Sequence, residues 1–278
     1  GKLECRIGFN RAPTAPSVRV TRDYVPIRYG QLHRRRATPA SPVGLHTPVV
    51  LLHQTPLSGR MFSELLPVLG RDREVLAPDT PGYGESDPPP SVISIGDYAD
   101  ALHDALGESR EPIDLVGYHT GALIAAEYAA RYPKDVRRLV LISMPLFSAE
   151  RRGQLNTTSV LAADGSHLLG EWRSTMSVRP PGQTLEQAAR IVAEKQRAGT
   201  RAGWAMAAVA AYEPTERLKL IRAPTTLIRP KDGLWEAGAE AAKQIPGAVL
   251  VDAPQWGFGL FDADPEGVAA MIRAALDR

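Results

Sequence analysis

The amino-acid sequence predicts an α/β protein: a mostly parallel sheet of eight strands flanked by helices, with an inserted helical cap. Three observations carry that prediction. Short β-branched apolar runs alternate with longer amphipathic stretches along most of the chain, the pattern of parallel strands covered by helices. Near the start, two runs at 24–29 and 31–34 flank Gly30 closely enough for an antiparallel edge hairpin. The alternation then lapses between Phe147 and about Leu220, where helical patterns continue without a convincing strand.

Taken in order, the hairpin comes first and six core strands follow at 49–52, 74–77, 114–116, 139–142, 226–228 and 248–251. Each is a short apolar run bounded by turn residues, as a strand buried on both faces requires. Helices are expected at about 59–70, 97–109, 120–131, 234–244 and 264–277, where apolar spacing is helical and the borders carry turn residues. Pro88, Pro89 and Pro90 read as a stiff loop. The cap is placed at 147–218, so that 1–146 and 219–278 make one core. Within it, 185–198 has good helix formers, and Pro180, Pro181 and Gly182 punctuate the stretch before. Trp172, Met176, Trp204, Met206 and Tyr212 either line a pocket beneath the cap or pack it onto the core.

Composition narrows the function classes. The chain has 278 residues, 44% hydrophobic and 23% charged, which excludes a disordered, collagenous or coiled-coil protein. Lys and Arg number 33 against 31 Asp and Glu, a net charge of +2, and the run Arg34 to Arg36 is not extended into a basic stripe, so nucleic acid is not an expected partner. Cys5 is the single cysteine, which rules out an internal disulfide and a cysteine zinc site and is compatible with a reducing compartment. His33, His46, His103 and His167 show no metal-ligand spacing, so neither metal nor cofactor is expected. The longest apolar stretch, 139–147, is too short to span a membrane, and no membrane partner is expected. Glu4, Arg6 and Arg11 interrupt the opening, so no signal peptide is read and a cytoplasmic location is expected, although a start at Gly1 leaves room for a removed leader.

Three segments fall at the ends of strands: His53-Gln54-Thr55-Pro56, then 79–87 (DTPGYGESD), then Gly117-Tyr118-His119-Thr120-Gly121 between a strand and a helix. In this order and placement they make the chain resemble the α/β-hydrolase superfamily over nearly its whole length. The first is similar to that family's His-Gly-x-Pro loop, the second to its Asp-x-Pro-Gly-x-Gly-x-Ser stretch. The third stands where the family has its Gly-x-Ser-x-Gly nucleophile elbow. A sharp strand-to-helix turn brings backbones close and strains its central residue, so glycine is needed at 117 and 121. Histidine, among the non-glycine residues enriched at positive φ, can occupy the centre.

The resemblance also implies a triad, and here two members are replaced. Asp232 stands at the acid position, His119 replaces the serine, and Phe258 in Trp256-Gly257-Phe258-Gly259 replaces the base. Ordinary Ser-His-Asp acyl transfer from these positions is therefore excluded, as is chemistry that needs a carboxylate at the elbow. A histidine at 119 reaches further than serine and can approach Asp232, giving a transposed dyad that acts as general base on water or a substrate proton. By position the backbone amides of Thr55 and Thr120 form the oxyanion hole. Gln54 departs from the family's glycine and either crowds that hole or reaches the ligand, and His53 either fixes its own loop or faces the ligand. Ser143, His167, Trp172, Trp256 and Phe258 complete the candidate substrate-binding set.

Two functions stay open on this reading. One is an enzyme acting on a small carbonyl-containing molecule, by ester, lactone or C–C bond hydrolysis or by cofactor-free lyase or isomerase chemistry. The other is a catalytically degenerate hydrolase fold that binds a small apolar ligand. The oligomeric state is not readable from the residues.

Overall fold

The computed structural model describes residues 18–41, 46–107 and 111–278. Cys5 and the opening residues lie outside them. Eight strands form one sheet: β1 (Val18–Ile27), β2 (Gly30–Pro39), β3 (His46–Leu52), β4 (Arg73–Pro78), β5 (Ile113–Tyr118), β6 (Val136–Ile142), β7 (Thr225–Pro230) and β8 (Val249–Ala253). Their order is β1-β2-β4-β3-β5-β6-β7-β8, with β1 and β2 antiparallel and β3 to β8 parallel. From β3 the chain first moves to one side, to β4, and then crosses to the other, to β5. The carboxyl ends of β3 and β5 therefore flank the point where the winding reverses, the place at which open α/β sheets leave a crevice for ligands.

The helices are α1 (Leu66–Leu69), α2 (Ile95–Leu106), α3 (Thr120–Arg131), α4 (Ala149–Gly153), α5 (Ser166–Ser177), α6 (Leu185–Arg197), α7 (Trp204–Ala211), α8 (Thr215–Leu218), α9 (Trp235–Gln244), α10 (Leu260–Ala263) and α11 (Pro265–Leu276). One face of the sheet packs on α2 and α3, the other on α1 and α11, and each interface holds its own apolar cluster. Residues 120–129 of α3 are all buried, Glu127 included, because alanines at 122, 125, 126 and 129 let the helix lie close to β5. Leu123 and Ile124, both fully buried, each contribute about 1.5–3 kcal/mol.

Sequence and structure differ at element borders for identifiable reasons. The helix expected at 59–70 is split into a 3-10 turn, Gly59–Phe62, and α1, whose first turn carries Pro67. Proline has no N–H to continue an earlier helix but suits the start of a new one. Helix α2 starts two residues ahead of the expected position because Ser94 and Asp97 close a capping box, and it stops at Gly107, φ 77°.

Between β6 and β7 the chain leaves the sheet for α4 to α8 and a 3-10 turn at Gly199–Arg201. Side chains tie this segment to the loops after β3, β4 and β8. Ser58 Oγ donates to Glu194 Oε1 at 2.5 Å, the Ala205 amide donates to Tyr83 Oη at 2.9 Å, and Gln183 Nε2 donates to Asp262 Oδ2 at 3.0 Å. No helix of the described residues is long and apolar enough to cross a membrane.

Candidate active site

The site begins at the turn between β5 and α3. His119 sits there at φ 52°, ψ −118°, one of two non-glycine residues with positive φ among the described residues. Its neighbours make that geometry obligatory. A Cβ at Gly117 would lie 2.3 Å from the Gly121 carbonyl oxygen, and one at Gly121 would lie 2.2 Å from that of Leu52. Both obstacles are backbone and cannot swing away. The His119 amide donates to Ile142 O at 3.1 Å, and its carbonyl accepts from the Ala122 amide at 2.8 Å, locking the turn to β6 and α3.

The imidazole points to the loop after β7. Its Nε2 lies 3.3 Å from Asp232 Oδ2, with the aspartate side chain 1% exposed and the histidine 17%. The same Oδ2 accepts from Ser143 Oγ at 2.6 Å, and Oδ1 accepts from the Leu234 amide at 2.8 Å. Burial alone would raise the Asp232 carboxyl, but the hydrogen bonds from His119 and Ser143 outweigh it and hold the group below the usual carboxylate range. Asp232 is therefore an anion, and an anion only accepts. Nε2 must carry the proton, which leaves the lone pair of a neutral His119 on Nδ1. Ser143, 1% exposed and at φ 50°, spends its hydroxyl on Asp232.

Two aromatic rings flank the imidazole. Phe258 stands 5.4 Å from it and Tyr118 4.5 Å, centroid to centroid. Burial, reinforced by the Asp232 charge, pushes the Tyr118 phenol up, so it stays protonated. Across the elbow, Thr55 Oγ1 and Thr120 Oγ1 are 3.0 Å apart, which brings the loop after β3 against the first turn of α3. Neither the Thr55 nor the Thr120 backbone N–H has a hydrogen-bonding partner among the described residues.

His53 belongs to the frame rather than to the ligand surface. It is fully buried; its Nδ1 donates to Gln54 O at 2.9 Å and its Nε2 accepts from the Thr80 amide at 2.9 Å. Burial pushes this imidazole down and keeps it neutral, and both nitrogens are spent. Gln54 and Phe258 line a cavity of about 80 Å³, with Leu57, Met61, Tyr118 and Phe261 on the core side. The segment from α5 to α6 supplies its other wall. His167, Trp172 and Trp256 do not line it. His167 Nδ1 accepts from the Ala162 amide, and Trp256 Nε1 donates to Asp264 on the side of the sheet that holds α11. Met206 and Tyr212 pack against the core cluster beside α3, Tyr212 Oη donating to Glu127 at 2.7 Å. Residues the sequence did not single out, Tyr118, Arg179 and Lys195, do line the cavity. Of these only Tyr118 left a signal, its place beside the elbow. No three His, Cys, Asp or Glu side chains among the described residues gather as a metal site.

Residues 47–168 match the sequence model of the alpha/beta hydrolase fold family. A stretch of 107 residues is 36% identical to the 2-hydroxy-6-oxo-2,4-heptadienoate hydrolase of Pseudomonas putida, covering 36% of this chain and 38% of that protein. Another of 110 residues is 34% identical to the cis-3-alkyl-4-alkyloxetan-2-one decarboxylase of Shewanella oneidensis, covering 37% of this chain and 34% of that one. Across eight curated relatives the chain spans between 20% and 39% of their length. Among solved structures, a hydrolase from Pseudomonas aeruginosa superposes with a TM-score of 0.72 at 23% identity, over 92% of this chain and 98% of that one.

Proposed function

The chain has an α/β-hydrolase fold with a histidine where that fold presents its nucleophile, and from this premise we propose that it is an enzyme acting on a small carbonyl-containing substrate, with His119 as general base. The observation that carries the reading is the contact of His119 Nε2 with a buried, ionised Asp232 at 3.3 Å. Asp232 fixes the tautomer and stabilises the imidazolium that forms, the part its counterpart plays in a serine triad. Nδ1 takes a proton from water or from a carbon next to the carbonyl. In hydrolysis the hydroxide so generated attacks the carbonyl carbon, whose π electrons move to oxygen; the oxyanion then re-forms the carbonyl, the bond to the leaving group breaks, and the imidazolium gives that group its proton. In isomerase chemistry the electron pair of the broken C–H bond delocalises into an enolate and the imidazolium returns the proton at another carbon; in lyase chemistry the enolate re-forms the carbonyl as it expels a β-leaving group, which takes that proton. Either way negative charge collects on the carbonyl oxygen, where the amides of Thr55 and Thr120 can meet it. The relatives named above include one hydrolase and one decarboxylase. The region between β6 and β7 acts in this reading as a cap that closes the cleft against water.

A second reading is a degenerate fold that binds a small apolar ligand; the observation in its favour is Phe258, an apolar ring close to His119 in the place of a base. A double-mutant cycle separates the two. Turnover is screened on 4-nitrophenyl esters, lactones and 1,3-diketones, and His119→Ala, Asp232→Asn and the double variant are compared on the compound turned over. As a base held by its partner, each single change lowers kcat about a hundredfold or more, and the double is little worse than the poorer single. Absence of turnover on every class, or strictly additive effects confined to affinity, replaces the enzyme by the binder.

A further inference from the structure

The cavity lined by Tyr118 and Phe258, the two rings that flank His119, does not include His119 in its lining, and it is uneven in charge. Its body is apolar, made by Leu57, Met61, Val178, Ile191, Phe258 and Phe261. Polar groups collect on the wall supplied by α5, α6 and the turn between them, where Arg179 and Lys195 both face the cavity. Lys195 is partly spent: its Nζ donates to Glu171 Oε1 at 2.6 Å. Arg179 is not. Its guanidinium donates to the backbone carbonyl of Gln183 and, among the described residues, forms no ion pair with a carboxylate. The acid in the lining is Asp262. Burial raises its carboxyl, while the hydrogen bond that Gln183 Nε2 donates to its Oδ2 at 3.0 Å favours the anion. An apolar chamber with a guanidinium on its wall that no carboxylate of the described residues pairs suits an apolar molecule that carries an anion.

We propose that the substrate is a small apolar carbonyl compound bearing a carboxylate, which Arg179 anchors while the carbonyl lies toward the elbow. A planar guanidinium with free N–H groups matches a carboxylate in shape as well as charge. About 80 Å³ encloses roughly three heavy atoms, on the scale at which about 150 Å³ holds benzene, so it takes the apolar stem while the carboxylate meets the exposed Arg179. Only the placing of the carbonyl rests on His119 being the base; the anion site stands on the cavity wall alone.

The test uses pentanoate and its near-isostere pentanamide, titrated calorimetrically at neutral pH into wild-type protein, Arg179→Gln and His119→Ala. Arg179 is exposed, so its replacement leaves the core intact, which circular dichroism checks. Wild type is expected to bind pentanoate at least tenfold more tightly than pentanamide. In Arg179→Gln that preference disappears while pentanamide binding is unchanged, and in His119→Ala it persists. Equal affinities in wild type, or a preference that survives Arg179→Gln, overturn the assignment. The outcome is separable from the question of catalysis: a protein without turnover that still prefers pentanoate loses the base and keeps the anion site, and one with His119-dependent turnover but no preference does the reverse.

Discussion

Ser143→Ala probes how the acid of the site is held. The hydroxyl removed donates to Asp232 Oδ2 at 2.6 Å in a place where donor and acceptor are both about 1% exposed. A hydrogen bond to an ionised group contributes about 1.5–3 kcal/mol, against roughly 0.5–1.5 for a neutral pair. Alanine keeps the Cβ, so the strain of φ 50° is retained and the bond is the main loss. Asp232 is held below its ordinary value, so its stabilising contribution is present above the unfolded-state value and is lost as pH falls through the folded one. The variant should therefore be less stable by about 2 kcal/mol near neutral pH, and the deficit should shrink by roughly half in acid, where the carboxyl is neutral in both proteins. Urea unfolding of wild type and variant at the two pH values measures this, with equal m-values as the check on two-state behaviour. A deficit of the same size at both, or none at neutral pH, would refute the argument that Ser143 holds an ionised Asp232.

Gly121→Ala should cost more than about 3 kcal/mol, read as a fall in melting temperature or a loss of soluble protein, because the added Cβ lands 2.2 Å from Leu52 O in the central strand. Wild-type stability would mean the turn is looser than described. Restoring a serine and a base together, His119→Ser with Phe258→His, should create weak hydrolysis of 4-nitrophenyl esters; a folded double variant without it would point to Gln54 crowding the Thr55 and Thr120 amides. Serine-directed fluorophosphonates should modify no serine in the cleft of the wild-type protein, which peptide mass spectrometry checks. A labelled cleft serine would relocate the nucleophile.

The six core strands were legible because each centres on a short apolar run, and the hairpin because its two runs flank Gly30. The hairpin was read too short: β1 begins at Val18, but residues 19–22 are exposed at the sheet edge and all but Val20 are polar, so they mark no buried face. Pro67 splits a helix whose apolar spacing runs through it, a local veto that periodicity does not weigh. That His119 approaches Asp232, and Thr55 approaches Thr120, was legible from their positions after strands, which the topology carries to one end of the sheet. The cavity was less readable. Arg179 and Lys195 sit on an irregular helical segment whose docking depends on contacts such as Ser58 with Glu194, some 136 residues apart, and no local pattern encodes those. Aromatic residues attracted attention at 172 and 256, yet Trp256 packs below the sheet and Trp172 stands outside the cavity lining.

The turn that presents residue 119 is built by Gly117, Gly121 and the amide bond to Ile142, and by no atom of the side chain it presents. Reactivity at that point is thereby uncoupled from foldability. A single codon can swap an alcohol, a thiol, a carboxylic acid or an imidazole into the same socket without any other residue having to accommodate the change in backbone. Such a position is a natural hinge between one chemistry and the next in descent. It is also the first place at which a saturation library on this scaffold would sample new reactions, proline and the β-branched residues excepted, because φ 52° strains or excludes them.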